Sequence, residues 1–186
     1  MLQFDAFQGH LSPGERVIWS GRPGQGLMLT AQDVFLIPFS LLWCGFAVFW
    51  EWNVASAVHA WNFGVIWGAM FVCIGLYFVF GRFLVDAWVR SKTSYALTDQ
   101  RALIKRSAPF PKFVALTLAN LSEVAIEERS NGRGTIRLGQ GGSAVGRRGM
   151  SSWSPALDAR PQFLMIDDAR RVFALVEQGN ARRFAS

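Results

Sequence analysis

The stretch that decides the fold runs from residue 34 to residue 81: VFLIPFSLLWCGFAVFW (34–50), the connection EWNVASAVHA (51–60) and WNFGVIWGAMFVCIGLYFVFG (61–81). From Val34 to Trp50 no side chain carries a formal charge. Read back to Ala31, past Asp33, the run reaches about twenty residues, the length at which a helix crosses roughly 30 Å of hydrocarbon. The second run, Trp61 to Gly81, is wholly uncharged. Two transmembrane helices joined by a short loop are expected, because a chain of 186 residues has no other layer large enough to cover two such helices on all sides.

The edges of the runs agree. Thr30 followed three residues later by Asp33 reads as a capping box, with the carboxylate at the positive helix end. Pro38 deletes one backbone bond within the first run, which spans tolerate when a neighbour re-satisfies the freed carbonyl. Trp50, Trp52 and Trp61 gather around the loop and Trp88 follows the second run, the pattern of an interfacial aromatic belt. Trp43 and Trp67 lie deeper, as packing residues. Gly64 and Gly68 form a small-xxx-small pair continued at Gly75, a stripe that lets helix backbones approach in lipid. It serves either the packing of the two helices of one hairpin or association with a second copy. Past Gly81, Arg82, Asp86 and Arg90 recur every four residues as a charged stripe away from Leu84, Val85 and Trp88, so a helical stalk is expected to leave the bilayer.

Charge sets the orientation. Residues 1–30 are mixed, the loop has no Lys or Arg, and Arg82, Arg90, Lys92, Arg101, Lys105, Arg106 and Lys112 follow the second run in quick succession. The positive-inside rule then places both termini in the cytoplasm and the loop outside. The first thirty residues have neither the basic start nor the apolar core of a cleaved signal, so the hairpin is expected to remain in the protein. From Arg82 onward there are seventeen basic residues against nine acidic ones, as suits a face beside an anionic leaflet. No helix-turn-helix, zinc pattern or basic-aromatic strand signature points to nucleic acid.

Outside the hairpin the period becomes two. Met1 to Leu11 is a short surface helix or unstructured. Glu15 to Ser20 is a strand, and Gly21 to Gly26 a turn-rich loop. Thr93 to Leu97 and Ala102 to Arg106 form a hairpin across Thr98, Asp99 and Gln100. Phe113 to Leu118 follows the prolines at 109 and 111. Val124 to Glu128 and Thr135 to Leu138 pair across Asn131 and Gly132. Gly139 to Pro161 contains a Gly-rich loop with Arg147 and Arg148, and Phe163 to Ile166 is a last short strand. Asp167 or Asp168 caps a closing helix with Ala169, Val172, Phe173 and Val176 on one face, ended by Gly179. The chain thus divides into an N-terminal segment (1–30), a helical hairpin with stalk (31–92) and a C-terminal domain (93–186).

The element order, and the residues Gly14-Glu15 with Ile18-Trp19 and Gly21-Arg22-Pro23, Thr93-Ser-Tyr95-Ala-Leu97-Thr98-Asp-Gln-Arg101, and Gly132-Arg-Gly134-Thr135-Ile136, resemble bacterial membrane-anchored proteins with a pleckstrin-homology-like (PH-like) domain. The resemblance covers about Leu11 to Gln178. It implies an α+β membrane protein of the bacterial inner membrane, with a transmembrane hairpin followed by a cytosolic PH-like β-barrel closed by its C-terminal helix. It also implies a scaffold more than a reaction. Thr93, Tyr95 and Leu97 then face a core, Asp99 closes the turn and Arg101 pairs across it. The functional alternative makes Arg101, Lys105, Arg106, Arg147 and Arg148 a basic rim for anionic lipid or an acidic protein partner.

An enzyme is not expected. Cys44 and Cys73 read as small packing residues, His10 and His59 fall on opposite sides of the membrane, and no nucleophile elbow, zinc helix or P-loop occurs. Neither a cofactor nor a metal is implied. The expected partners are the bilayer and a protein of unknown identity, and a homo-oligomer held through Gly64 and Gly68 is the alternative.

Overall fold

The computed structural model describes residues 7–57, 63–129, 132–139, 156 and 160–181. The first apolar run forms α1 (Asp33–Ala57). The second forms α2 (Phe63–Leu76), which passes through a π turn (Tyr77–Gly81) into α3 (Arg82–Ser91). Both continuous helices are long and apolar enough to cross a membrane. Phe35, Phe39, Leu42 and Phe46 on α1, like Phe63 and Ile66 on α2, are exposed.

Two helical expectations are corrected, and a third gains its direction. The loop expected from Glu51 is helical as far as Ala57. A propagating helix gains a backbone bond per added residue, and polar side chains there fold back onto it: Asn53 Nδ2 donates to the Phe49 carbonyl at 2.7 Å and Ser56 Oγ to that of Trp52 at 2.6 Å. The charged stripe on α3 lies away from Leu84 and Trp88, as expected, and it is the side that faces inward. Arg82, Asp86 and Arg90 are buried, whereas Leu84 is 70% and Trp88 46% exposed, because the stripe turns toward polar protein groups and the apolar side turns outward. Gly179 does not end the closing helix, α4 (Ala169–Ala181). It lets α4 approach Leu118, whose Cδ1 would lie 2.4 Å from an added Cβ.

The strands form two antiparallel sheets. One has the order β1 (Val17–Gly21), β2 (Thr93–Thr98), β3 (Arg101–Arg106), β4 (Lys112–Thr117); the other has the order β5 (Glu123–Glu128), β6 (Gly134–Gly139), β7 (Gln162–Ile166). The expected barrel is not closed. A 3-10 turn at Leu118–Asn120 separates β4 from β5, so hydrogen bonding does not run on between them. At β7 the edge groups are met singly: Leu164 N donates to Tyr95 Oη at 3.2 Å, and Gly24 N donates to the Met165 carbonyl at 2.9 Å. A Cβ at Gly24 would lie 2.7 Å from that carbonyl oxygen, so the approach requires glycine.

Strand alternation sends Tyr95, Leu97 and Ala102 from the first sheet, and Ile136, Leu138, Phe163 and Ile166 from the second, into one core. Tyr95 and Phe163 lie 4.9 Å apart between ring centroids, and Trp19 from β1 packs on Phe163 at 5.7 Å. Ala169, Val172 and Val176 of α4 cover the same core with Leu118 and Leu121. On the other face of the first sheet, Phe7 is buried with Ala96 and Leu103, so the N-terminal segment is fixed at this point. β1, which precedes the hairpin in sequence, pairs with β2, which follows it: Gly21 lies opposite Tyr95 and Val17 opposite Thr98. The sheet domain is therefore assembled from both flanks of the helical pair.

Candidate functional site

Sheet register decides which of the expected rim residues can act together. Thr93 lies opposite Arg106, and Arg106 opposite Lys112, at the end of the first sheet from which the chain leaves for the helices. Arg101 lies opposite Thr117 at the other end. At about 3.4 Å per residue the length of β3 separates Arg101 from Arg106 by roughly 17 Å. The rim therefore splits. Lys105 and Arg106 share the helical end but, as neighbours in a strand, project to opposite faces. Arg147 and Arg148 lie outside the described residues.

Arg101 is bound within the protein. Its Nε donates to Glu15 Oε1 at 3.0 Å, its Nη2 pairs with Glu15 Oε2, and the same Nη2 donates to Ser12 Oγ at 3.0 Å. Glu15 also accepts from Thr98 Oγ1 at 2.6 Å and from Ser12 N at 2.8 Å. The Arg101 guanidinium, with these other donors, holds the Glu15 carboxyl at about 2, well below its ordinary value. Asp99 is fixed by the same segment: its Oδ1 accepts from Arg16 N, and its own N donates to the Arg16 carbonyl, each at 3.1 Å. Gly14-Glu15 and Thr98-Asp-Gln-Arg101 are thus two halves of one clasp that pins the chain before β1 onto the β2–β3 turn. Asp99 and Arg101 reach that segment instead of pairing only across their own turn.

At the helical end the sheets part around a cavity of about 50 Å³ bordered by Arg90, Arg106, Lys112 and Arg160, with Tyr95 and Gln162 among its walls. Arg90 is held firmly. Nε donates to Asp86 Oδ2 at 2.8 Å, and the two terminal nitrogens donate to the carbonyls of Gly24 and Gly26. Asp86 Oδ1 accepts from Ala156 N at 3.0 Å. Arg106 Nε donates to the Phe110 carbonyl at 3.0 Å, which fixes the fork at the mouth. Burial raises the Tyr95 hydroxyl above the usual phenol range, so it remains a neutral donor and acceptor. The lining therefore includes four basic side chains, of which Arg90 is paired with Asp86, a setting suited to a small anionic group.

Sequence reasoning found Arg106 but missed Arg90, Lys112 and Arg160 as its companions. Lys112 was accessible from the prolines at 109 and 111, which make the β3–β4 connection tight enough to set Lys112 beside Arg106. Arg160 had no such signal, because its place depends on β7 meeting the far sheet. Among the described residues no three His, Cys, Asp or Glu side chains converge in the manner of a metal site.

The glycine stripe is also divided. Gly68 and Gly75 are buried, whereas Gly64 is exposed. A Cβ at Gly75 would lie 3.0 Å from Cys44 Cα, and one at Gly68 would lie 1.9 Å from Glu51 Oε2. These two glycines bring α2 against α1 of the same chain. Near the other end of the pair, Arg82 Nη1 meets Asp33 Oδ1 at 2.7 Å with both side chains buried, while Asp33 Oδ2 accepts from Thr30 N at 2.6 Å. Asp33 thus caps α1 and ties it to α3.

Compared with protein-family models, with curated proteins and with solved structures, the chain matches none.

Proposed function

We propose that this is a non-catalytic protein of the bacterial inner membrane that presents a cytosolic PH-like domain, whose basic cleft takes an anionic group offered by a protein partner or a lipid. The observation that carries the reading is the convergence of Arg90, Arg106, Lys112 and Arg160 where the sheet domain joins the two apolar helices. Of these, the exposed Lys112 and Arg160 and the half-buried Arg106 are placed to act on an anionic leaflet, each contributing on the order of 1 kcal/mol near its surface, while the buried Arg90 shapes the wall. The pairing of β1 with β2 supports an even number of crossings, since both flanks of the hairpin belong to one sheet and must share a side. The positive-inside rule makes that side the cytoplasm. Four strands, then three, then a helix packed over their shared core supports the PH-like assignment. The competing reading, association through the glycine stripe, loses support because Gly68 and Gly75 are occupied within the hairpin.

Crosslinking in native membranes with mass spectrometry tests the proposal, with the wild type compared against a variant carrying Arg106→Gln, Lys112→Gln and Arg160→Gln. A specific protein crosslink, or a co-purifying anionic lipid, that is lost in the variant is expected. Retention of every partner and lipid by the variant would overturn the cleft as the binding site.

A further inference from the structure

We infer that the groove between α1 and α2 is a phospholipid site: one acyl chain lies along it, and the phosphate accepts from Arg82 Nε and Nη2. The inference goes beyond the basic cleft proposed above and rests on the membrane-anchored reading.

Arg82 sets the depth of the site. It is the first charged residue after the apolar run that ends at Gly81, and Asp33 is the last before the run that begins at Val34. Their side chains, both buried, meet at 2.7 Å, so one level marks the polar boundary of both spans. The phosphates of the adjoining leaflet lie at that boundary.

The guanidinium is only partly satisfied there. Nη1 donates to Asp33 Oδ1, and Phe83 covers one flat face, its ring centroid 4.3 Å from Arg82 Cζ. Nε and Nη2 are buried and meet no acceptor among the described residues. Unpaired buried donors are costly, and these two call for an oxygen from outside the chain. Asp33 does not cancel the charge, because its carboxylate also accepts from Thr30 N at 2.6 Å and Thr30 Oγ1 at 2.8 Å and faces the positive end of α1. A guanidinium and a helix N-terminus thus share one carboxylate, which favours a second oxyanion. The planar fork of Nε and Nη2 fits two phosphate oxygens.

Beside Arg82 runs an apolar groove of about 250 Å³, walled by Leu36, Phe39 and Trp43 of α1, Ile74 of α2 and Phe78 of the π turn. One water needs only about 10–15 Å³ but also two or more polar partners, so the size and the walls suit hydrocarbon. Ser40, the polar residue within it, turns its hydroxyl to the Ile37 carbonyl at 2.9 Å. From Leu36 to Trp43 the groove follows roughly 10 Å of helix. Residues four apart drift about 40° per step round a regular α-helix. The π turn takes more residues per turn and brings Ile74, Phe78 and Arg82 into one row. Phe39, Trp43 and Ile74 are also exposed, so the groove opens outward, to acyl chains if the helices span. A transmembrane partner would fill the apolar walls but would need its own oxyanion at the boundary. A phospholipid joins the two by its structure.

The full chain is exchanged from detergent into nanodiscs of phosphatidylglycerol and phosphatidylcholine, then analysed by native mass spectrometry under activation that strips the surrounding lipid. Wild type should retain one phospholipid. Ile74→Trp, which fills the groove, and Arg82→Lys, which keeps a charge for Asp33 but removes the fork, should each lower retention several-fold. Phe35→Trp, exposed and outside the groove, should retain it. Retention is compared among chains whose sheet domain resists protease as the wild type does. Equal retention in every chain, or none in the wild type, would overturn the site. So would a protein retained in place of the phospholipid. A chain that stays in water and does not enter the nanodiscs would overturn the membrane anchor itself.

Discussion

Replacing Glu15 by Gln should make the stability of the sheet domain lose one component of its pH dependence. Glu15 accepts hydrogen bonds from Arg101, Thr98 and Ser12, and its carboxyl sits at about 2 against an ordinary 4.5. At about 1.4 kcal/mol per pH unit the difference corresponds to roughly 3 kcal/mol. Arg101 is 24% exposed, and solvent screening reduces the expectation to about 2 kcal/mol. Because folding lowers this pKa, the stabilisation is fully present above pH 4.5 and is lost as pH falls toward 2. Pulse proteolysis in urea, on the full chain in lipid nanodiscs, measures it. Glu15→Gln should be about 2 kcal/mol less stable than wild type at pH 7, with the gap narrowing below pH 4.5 and nearly gone close to pH 2. An equal gap at pH 7 and pH 3, or no gap at pH 7, would refute the clasp as an ionic device.

Two further predictions concern the helices. Gly75→Ile should destabilise the hairpin by about 1–3 kcal/mol, since the side chain would enter the Cys44 backbone, whereas Gly64→Ile on the exposed side should change little. Reversible unfolding in mixed micelles reads both, and a larger effect at Gly64 would move the contact to a second molecule. Arg90→Ala should cost about 3–5 kcal/mol by stranding the buried Asp86 carboxylate, and should speed protease cleavage within residues 22–28 as the Gly24 and Gly26 carbonyls are released. Arg90→Lys should restore the charge without the fork, and an unchanged cleavage pattern in both variants would refute the staple.

Local pattern was legible wherever neighbours in sequence decide the outcome. Alternation at Thr93, Tyr95 and Leu97 announced β2, and Ala169, Val172 and Val176 announced the buried face of α4. What stayed hidden depends on partners distant in sequence. A charged stripe at Arg82, Asp86 and Arg90 says that a helix has two faces but not which one is covered. In water the apolar face turns inward; here Asp33, Gly24 and Gly26 draw the charges in. The grouping of basic residues after the helices was visible, but not its division. Arg101 answers to Glu15, eighty-six positions away, and Arg106 to a cleft completed by Arg160. The spread of α1 past Glu51 was hidden for a plainer reason: Glu, Asn and Ser read as loop until the helix before them is seen to continue.

The separation of β1 from β2 by the whole helical pair has a consequence for how the protein is made. The ribosome finishes β1 about seventy residues before β2 begins, and at about 5–20 residues per second the first strand waits several seconds for its neighbour. During that wait both helices must be inserted as proposed, and the chain must return to the side where β1 was left. A nascent chain with one helix left out strands β1 across the bilayer from β2, whose edge then stays unpaired and open to proteases. Under the proposed topology the finished sheet therefore reports correct insertion, because only a chain that has made both crossings can pair β1 with β2.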